Sequence, residues 1–220
     1  MRKLIIFGVG EIAELANFYF TEDSEYEVSC FTIDDEYKDL DNFLGKPVVP
    51  FQGIQSKYPP SEYDFFVALG YTKMNELRKE KYFDAKGLGY KFATYISSKA
   101  IVLNDNNIGD NCFILEGNTI QPKVIIGNNV ILWSGNHIGH HSLIQDHVFI
   151  SSHAVVSGGV IVEDSCFIGV NSTLRDHIVI GSKSLIGAGS IILKSTDPFS
   201  VYVQNSTEAR DIKSDQIRKI

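Results

Sequence analysis

No stretch of this 220-residue chain approaches the ~20 consecutive apolar residues that a membrane-spanning helix requires, so no membrane partner is expected. The first twenty residues begin with Arg2 and Lys3, but Glu11 and Glu14 interrupt the apolar run behind them, which argues against a cleaved leader. A basic run is also missing. With 20 Lys and Arg against 27 Asp and Glu, the formal charge is −7, and the footprint of a nucleic-acid binder is lacking. Cysteine is scarce: Cys30, Cys112 and Cys166 form no Cys-x-x-Cys pair and no even set. That excludes a disulfide framework and suits free thiols in a reducing cytoplasm. Histidine is absent from the first 136 residues and then occurs six times by residue 177. What remains is ordinary globular composition, 44% hydrophobic and 21% charged, in a chain long enough for one or two domains with a real core.

The strongest signal is a period of six. Taking every sixth residue from Val102 gives Val102, Ile108, Ile114, Ile120, Ile126, Leu132, Ile138, Ile144, Ile150, Val156, Val162, Ile168, Leu174, Ile180, Ile186 and Ile192. All are Val, Ile or Leu, types that fill only about a quarter of an average chain. Glycine follows the aliphatic position at Gly109, Gly127, Gly139, Gly169, Gly181 and Gly187, and the fifth position of each hexad is mostly small or β-branched. Six matches neither a helix at 3.6 nor a single strand at 2. It matches short flat strands joined by tight corners with one aliphatic residue per face pointing inward, the hexapeptide parallel β-helix. Fifteen hexads from Val102 to Ile191 then make five triangular coils without insertion. On this reading the glycines serve corners that need positive φ, and Cys112 and Cys166, at the inward fifth position, belong to the core rather than carrying an acyl group.

The N-terminal third has another order. Residues 3–8 read as a buried strand, Gly8-Val9-Gly10 as a turn, residues 11–20 as a helix, and residues 27–33 as a second strand ending at Asp34-Asp35. A third strand, residues 64–69, closes at Gly70, and residues 74–85 look helical. Strand, glycine turn, helix, and strand with a terminal acid is the order of a nucleotide-binding βαβ unit, whose ligands sit at the carboxyl ends of the strands. The Gly-x-Gly-x-x-Gly pattern is incomplete, with Ala13 in its last place. Only about ninety residues precede the repeat, half a full dinucleotide domain, so a mononucleotide or nucleotide sugar is expected rather than NAD. The expected division is residues 1–98 for this α/β unit, 99–196 for the β-helix and 197–220 for a cap that packs back over the last coil, because an open end would expose its hydrophobic interior.

The pairing of these two units resembles the bacterial nucleotide-amino-sugar N-acetyltransferases of the sialic acid O-acetyltransferase-like family. The resemblance spans nearly the whole chain. It rests on Phe-Gly-Val-Gly at 7–10, Asp34-Asp35, Tyr-Asp-Phe-Phe-Val-Ala-Leu-Gly at 63–70 with Arg78 downstream, and Gly-His-His-Ser-Leu-Ile at 139–144. Gly-Val-Asn-Ser at 169–172 and Ile-Gly-Ala-Gly at 186–189 complete it. The resemblance implies a left-handed β-helix in a cytoplasmic homotrimer. The nucleotide of a UDP- or dTDP-linked amino sugar, plausibly a 4-amino-4,6-dideoxyhexose, would be held by Gly8, Gly10, Asp34, Asp35 and Gly70. Acetyl-CoA would lie between neighbouring β-helices against Phe149, Val170 and Ala188, and the sugar amine would attack the thioester directly, with no metal. By motif His140 takes the place of the general base, work that suits an imidazole near neutral pH.

Three features depart from the family. The acidic residue that commonly follows the base is here His141, a second candidate for the catalytic site, so either another carboxylate, with Asp146 and Glu116 as candidates, orients His140, or the base is weaker. Trp133 stands where asparagine is common, and Gln204 to Arg210 replace the usual Gly-x-Pro-Ala-Lys. O-acetylation of a sugar, or transfer of a larger acyl group, keeps the same fold. A reading from another class is a zinc lyase of the carbonic-anhydrase kind, using His137, His140, His141 and His153 at subunit contacts; the N-terminal unit would have no purpose in it. His147 and His177 are expected merely to fill exposed corners.

Overall fold

Strand β1 (Arg2–Phe7) runs parallel to β2 (Tyr26–Ile33) on one side. The computed structural model describes residues 2–37, 39–103, 107–209 and 211–216. In the sheet that β1 centres, β3 (Asn42–Phe43) and β4 (Lys46–Pro50) lie beyond β2, while β5 (Tyr63–Val67) and β6 (Lys91–Phe92) lie on the other side of β1. The order is β3-β4-β2-β1-β5-β6, parallel throughout except for β3. Successive residues of β1 point to opposite faces, and both faces are covered. Leu4 and Ile6 pack with Ala13, Ala16 and Phe20 of α1 (Glu11–Glu22), whereas Ile5 and Phe7 pack with Tyr82 and Ala85 of α2 (Glu76–Gly87). A strand buried on both sides reads as an unbroken apolar run, which is why this one was legible.

From residue 95 to residue 192 the described chain is a left-handed parallel β-helix, a three-sided prism whose two-residue strands pair at a spacing of eighteen. On the second face, Ile101–Val102, Thr119–Ile120, His137–Ile138, Val155–Val156, Thr173–Leu174 and Ile191–Ile192 stack in turn. The third face carries Ile125–Ile126, Leu143–Ile144, Ile161–Val162 and Val179–Ile180. The first face begins with Tyr95–Ile96, ahead of residue 99, and runs through Phe113–Ile114, Ile131–Leu132, Phe149–Ile150, Phe167–Ile168 and Leu185–Ile186. Its interior is the aliphatic column of the hexads together with Cys112, Val124, Val130, Val148, Ala154, Val160 and Cys166.

The glycines after each aliphatic residue have a different cause from the one expected. None has positive φ. A Cβ on Gly139 would stand 2.6 Å from the backbone of Ser157 and Gly158, and one on Gly169 2.6 Å from the amide nitrogen of Ala188. These glycines exist because successive coils touch backbone to backbone at that point. The left-handed residue comes two places later, at fourteen successive positions six apart from Asn111 to Gly189. Only Gly117, Gly135, Gly159 and Gly189 are glycine; the rest are Asn, Lys, Ser and the four histidines His141, His147, His153 and His177. Asparagine and histidine are among the side chains that tolerate this region best.

The first face of the prism is the platform for the half-sheet. Tyr95, Phe113, Leu115, Ile131 and Phe149 share one core with Leu4, Ile6, Ala13, Phe20 and Phe66, so the two units are joined by packed side chains, not by a linker. Arg78 of α2 is fully buried, and among the described residues no carboxylate pairs with it. Its guanidinium donates to the backbone oxygens of Asn129, His147 (2.9 Å) and Gly70 (3.4 Å) and to Asn75 Oδ1 (2.9 Å). Burial lowers its pKa to about 9.

The C-terminal end differs from the expected cap. The hexad lapses after Ile192, yet the coil continues for most of another turn: Thr196 bridges Ile180 and Val201–Tyr202 pairs with Leu185–Ile186. Both steps span sixteen residues instead of eighteen, so this last coil is two residues short. The shortened coil itself covers the interior, since Ile192 and Thr196 remain buried, while every described residue from Val201 onward is exposed. Arg210 and residues 217–220 of the expected cap lie outside the described residues.

Candidate active site

Three edges join the faces of the prism, and the histidines divide among them. The edge between the second and third faces holds His140 and His141, both exposed. The His140 amide donates to Gln121 Oε1 at 2.9 Å. Its ring lies over Gly158, where a Cβ would come within 2.6 Å of the imidazole Cε1. Glycine at 158 is therefore a condition for the ring to lie there. His141, at φ +60°, sets its own ring almost perpendicular to that of His140, with centroids 5.2 Å apart and the two Nδ1 atoms 3.1 Å apart. Neither carboxylate expected to orient His140 reaches it. Asp146 accepts from the Asn128 amide, and Glu116 accepts from Ser134 Oγ and Tyr19 Oη.

The other histidines occupy different surroundings. His137 sits on the second face, His153 lies over Gly135, and His177 lies over Gly159 as an exposed corner residue. His147 departs from expectation. It is left-handed like a corner residue but only 2% exposed, because α2 covers the edge between the third and first faces. Its Nδ1 meets Asn129 Nδ2 at 2.8 Å, and its ring packs edge-on against Tyr82 and Phe83. Burial pushes its pKa down to about 4. This was invisible in the sequence, because the docking of α2 is a tertiary event.

The candidate nucleotide residues gather at the carboxyl ends of β1, β2 and β5, in two groups. Gly8 has φ +120°, and a Cβ there would meet the Ala68 carbonyl at 2.9 Å, so the crossing of the two strand ends demands glycine. Its amide is spent on Thr32 O. Gly70 lies against Ile12, and Gly10 precedes α1 with open space around it and no side-chain cap on the helix. An uncapped helix start of this kind can receive an anion. Asp34 and Asp35 form the second group. Asp34 is held by Lys81 at 3.0 Å, and the Lys81 ammonium also reaches Asp84 and lies over the Phe7 ring. Asp35 and Gln52 exchange backbone-to-side-chain hydrogen bonds. Sequence reasoning missed Lys81; its neighbours on α2 give no sign that it turns back to the end of β2.

Two of the three expected acetyl-CoA residues, Phe149 and Val170, line a cleft of about 440 Å³ between α1 and the edge joining the first and second faces. Glu11, Ile12, Leu15 and Tyr71 form its α/β wall, and Trp133, Ser151 and Ser152 complete it. Ala188 lies eighteen residues beyond Val170 on the same edge, exposed, but does not line the cleft. The structure thus brings Phe149 and Val170 beside the glycine turn, while His140 stands on a different edge. Among the described residues, no three His, Cys, Asp or Glu side chains converge as a metal-binding group, and no helix is long and apolar enough to cross a membrane.

Two family models match the prism: the bacterial transferase hexapeptide (six repeats) over residues 107–140 and the hexapeptide repeat of succinyl-transferase over residues 159–194. Among solved structures, a histidine-to-asparagine mutant of perosamine N-acetyltransferase from Caulobacter crescentus, in complex with CoA and GDP-perosamine, is similar with a TM-score of 0.79. The match is 19% identical and covers 91% of this chain and 93% of that one. The chain has the fold of a sugar N-acetyltransferase. The acetyltransferase domain of PglB from Neisseria gonorrhoeae, in complex with acetyl-CoA, gives a TM-score of 0.77 at 23% identity, covering 88% of this chain and 92% of that one. WeeI from Acinetobacter baumannii gives 0.77 at 19%, covering 93% and 97%. Both units therefore recur together across these structures. No curated protein matches by sequence.

Proposed function

We propose that this chain is an acetyl-CoA-dependent N-acetyltransferase of a nucleotide-linked amino sugar, with His140 as general base, working as a cytoplasmic homotrimer. The observation that carries the reading is the union of two things in one chain. A half-sheet with an uncapped helix start is packed on one face of the prism, and an exposed imidazole sits on the edge which that half-sheet leaves bare. The full-length likeness to structures holding CoA and GDP-perosamine supports it. The division at residues 98 and 196 is kept as the functional one, nucleotide unit and acyl-transfer unit.

The chemistry asks little of the protein. The neutral amine attacks the thioester carbonyl carbon, the carbon–sulfur bond breaks, and the proton shed by the amine passes to His140 and on to the departing thiolate. Gly8, Gly10, Asp34, Asp35 and Gly70 would hold the nucleotide, and Phe149, Val170 and Ala188 would meet acetyl-CoA. Because His140 and the cleft lie on different edges, a second copy is needed to bring imidazole and substrate together. The second face suits that contact: its outward column contains Ile101, Val155 and Ile191, all exposed.

The test is thiol release from acetyl-CoA in the presence of UDP-, dTDP- and GDP-linked amino sugars and their hydroxyl counterparts. Release with an amino sugar alone is expected. Release with the hydroxyl sugar would reassign the reaction to O-acetylation, release only with a longer acyl-CoA would reassign the donor, and silence across the panel would remove the reading.

A further inference from the structure

We infer that His141 is a positioning residue that holds His140 in the tautomer carrying its proton on Nδ1, so that Nε2 keeps the lone pair used as a base. This deepens the reading of His140 as base and rests on it. Two Nδ1 atoms at 3.1 Å form a hydrogen bond only if one ring donates and the other accepts. If His140 donates, its Nε2 is bare, and His141 accepts with its own proton on Nε2. A neutral imidazole with no partner prefers its proton on Nε2, the nitrogen that must be empty here. Enzymes usually correct this with a carboxylate facing Nδ1. Among the described residues no hydrogen bond or ion pair joins either ring to a carboxylate, and Glu116 and Asp146 are engaged elsewhere.

The neighbour that does face Nδ1 is supplied by the fold. Residue 141 belongs to the left-handed column that recurs every six residues, and its φ of +60° is that column's ordinary value. The amide of His140 is tethered to Gln121, and its ring rests on Gly158. An acceptor at 141 is thereby aimed at Nδ1 of a ring that rests on Gly158 and whose backbone is held by Gln121. During transfer the amine proton arrives at Nε2 and leaves toward the thiolate of CoA. The Nδ1 proton stays between the two rings throughout.

The variant that removes the acceptor without straining the backbone is His141→Gly, since glycine already stands at the same corner one coil on, at Gly159 with φ +68°. Nitrogen-15 NMR of the imidazoles, recorded without substrate, is expected to show His140 protonated on Nδ1 in the wild type and on Nε2 in His141→Gly. Turnover is expected to fall at least ~10-fold, with KM for both substrates unchanged. His141→Asn, whose side-chain oxygen can accept and whose backbone suits the corner, is expected to restore part of both. An Nε2-protonated His140 in the wild type, or a His141→Gly variant with wild-type tautomer and turnover, overturns the inference. The NMR readout needs no acyl acceptor. Loss of the amino-sugar reading would therefore leave the tautomer result intact, and the two failures are distinguishable.

Discussion

His141 and His147 occupy the same backbone position one prism edge apart, at φ +60° and +63°, and could hardly differ more in surroundings. His141 is exposed beside another imidazole, whereas His147 is sealed beneath α2 with its Nδ1 on Asn129 and a pKa near 4. The backbone explains why histidine is acceptable at both corners. What packs on each edge explains what the side chain does there. One edge has become a seam fastening two units, and another has been left open to solvent. His140, which is not left-handed, owes its place to neither requirement.

The sealed edge can be broken most forcefully at its buried cation. Arg78→Leu would leave backbone acceptors of Gly70, Asn129 and His147 without donors, and a loss of roughly 3–5 kcal/mol is expected in urea unfolding. If stability is retained, the seam is held by its apolar contacts and by its other polar ones, Asn75 to the Ser165 and Cys166 carbonyls, Lys79 to Asp164 and Tyr82 to Asp110. On the open edge, His140→Asn is expected to keep the fold and its assembly while lowering kcat at least ~100-fold, as loss of a general base does. Wild-type turnover would move the role to His141 or His137.

Acid probes the contrast directly. His147 binds its proton near pH 4 when folded and near 6.5 when unfolded. The unfolded chain therefore takes up more protons between those values. His147's contribution is whole above pH 6.5 and disappears as pH falls toward 4, a change of order 2–3 kcal/mol. His147→Gln should flatten that part of the stability curve, read by thermal melts across the range. The smallest effect tests the column itself: Lys123→Gly, at an exposed left-handed corner, should stabilise by about 0.5–1 kcal/mol or leave stability unchanged. Gly169→Ala should destabilise by about 1–3 kcal/mol through its clash with the next coil.

The opposite signs expected for these two glycine changes mark the limit of what the sequence shows. The aliphatic column from Val102 to Ile192 was legible because one inward residue per strand has one requirement, to be apolar and branched. Glycine has two, close approach and left-handed backbone, and a sequence does not say which applies. The column of left-handed residues escaped notice because asparagine, lysine, serine, histidine and glycine share no hydropathy. The end of the prism escaped too, since Thr196 and Tyr202 continue its rungs without aliphatic side chains at the expected spacing. At the candidate site, motif position nominated His140, but the pairing of its Nδ1 with His141, the contact with Gly158, and the capture of Asp34 by Lys81 depend on which residues the coils and α2 bring together.

The missing two residues of the last coil bear on how the prism ends. A solenoid is open-ended by nature, and a fresh rung offers unpaired main-chain groups to any strand of matching pitch. Here the final rungs on two faces come two residues early while the other keeps step. The two residues are lost from the corner between Ile192 and Thr196, and the rungs after it still reach their partners: Thr196 meets Ile180, and Val201–Tyr202 lie in parallel register on Leu185–Ile186.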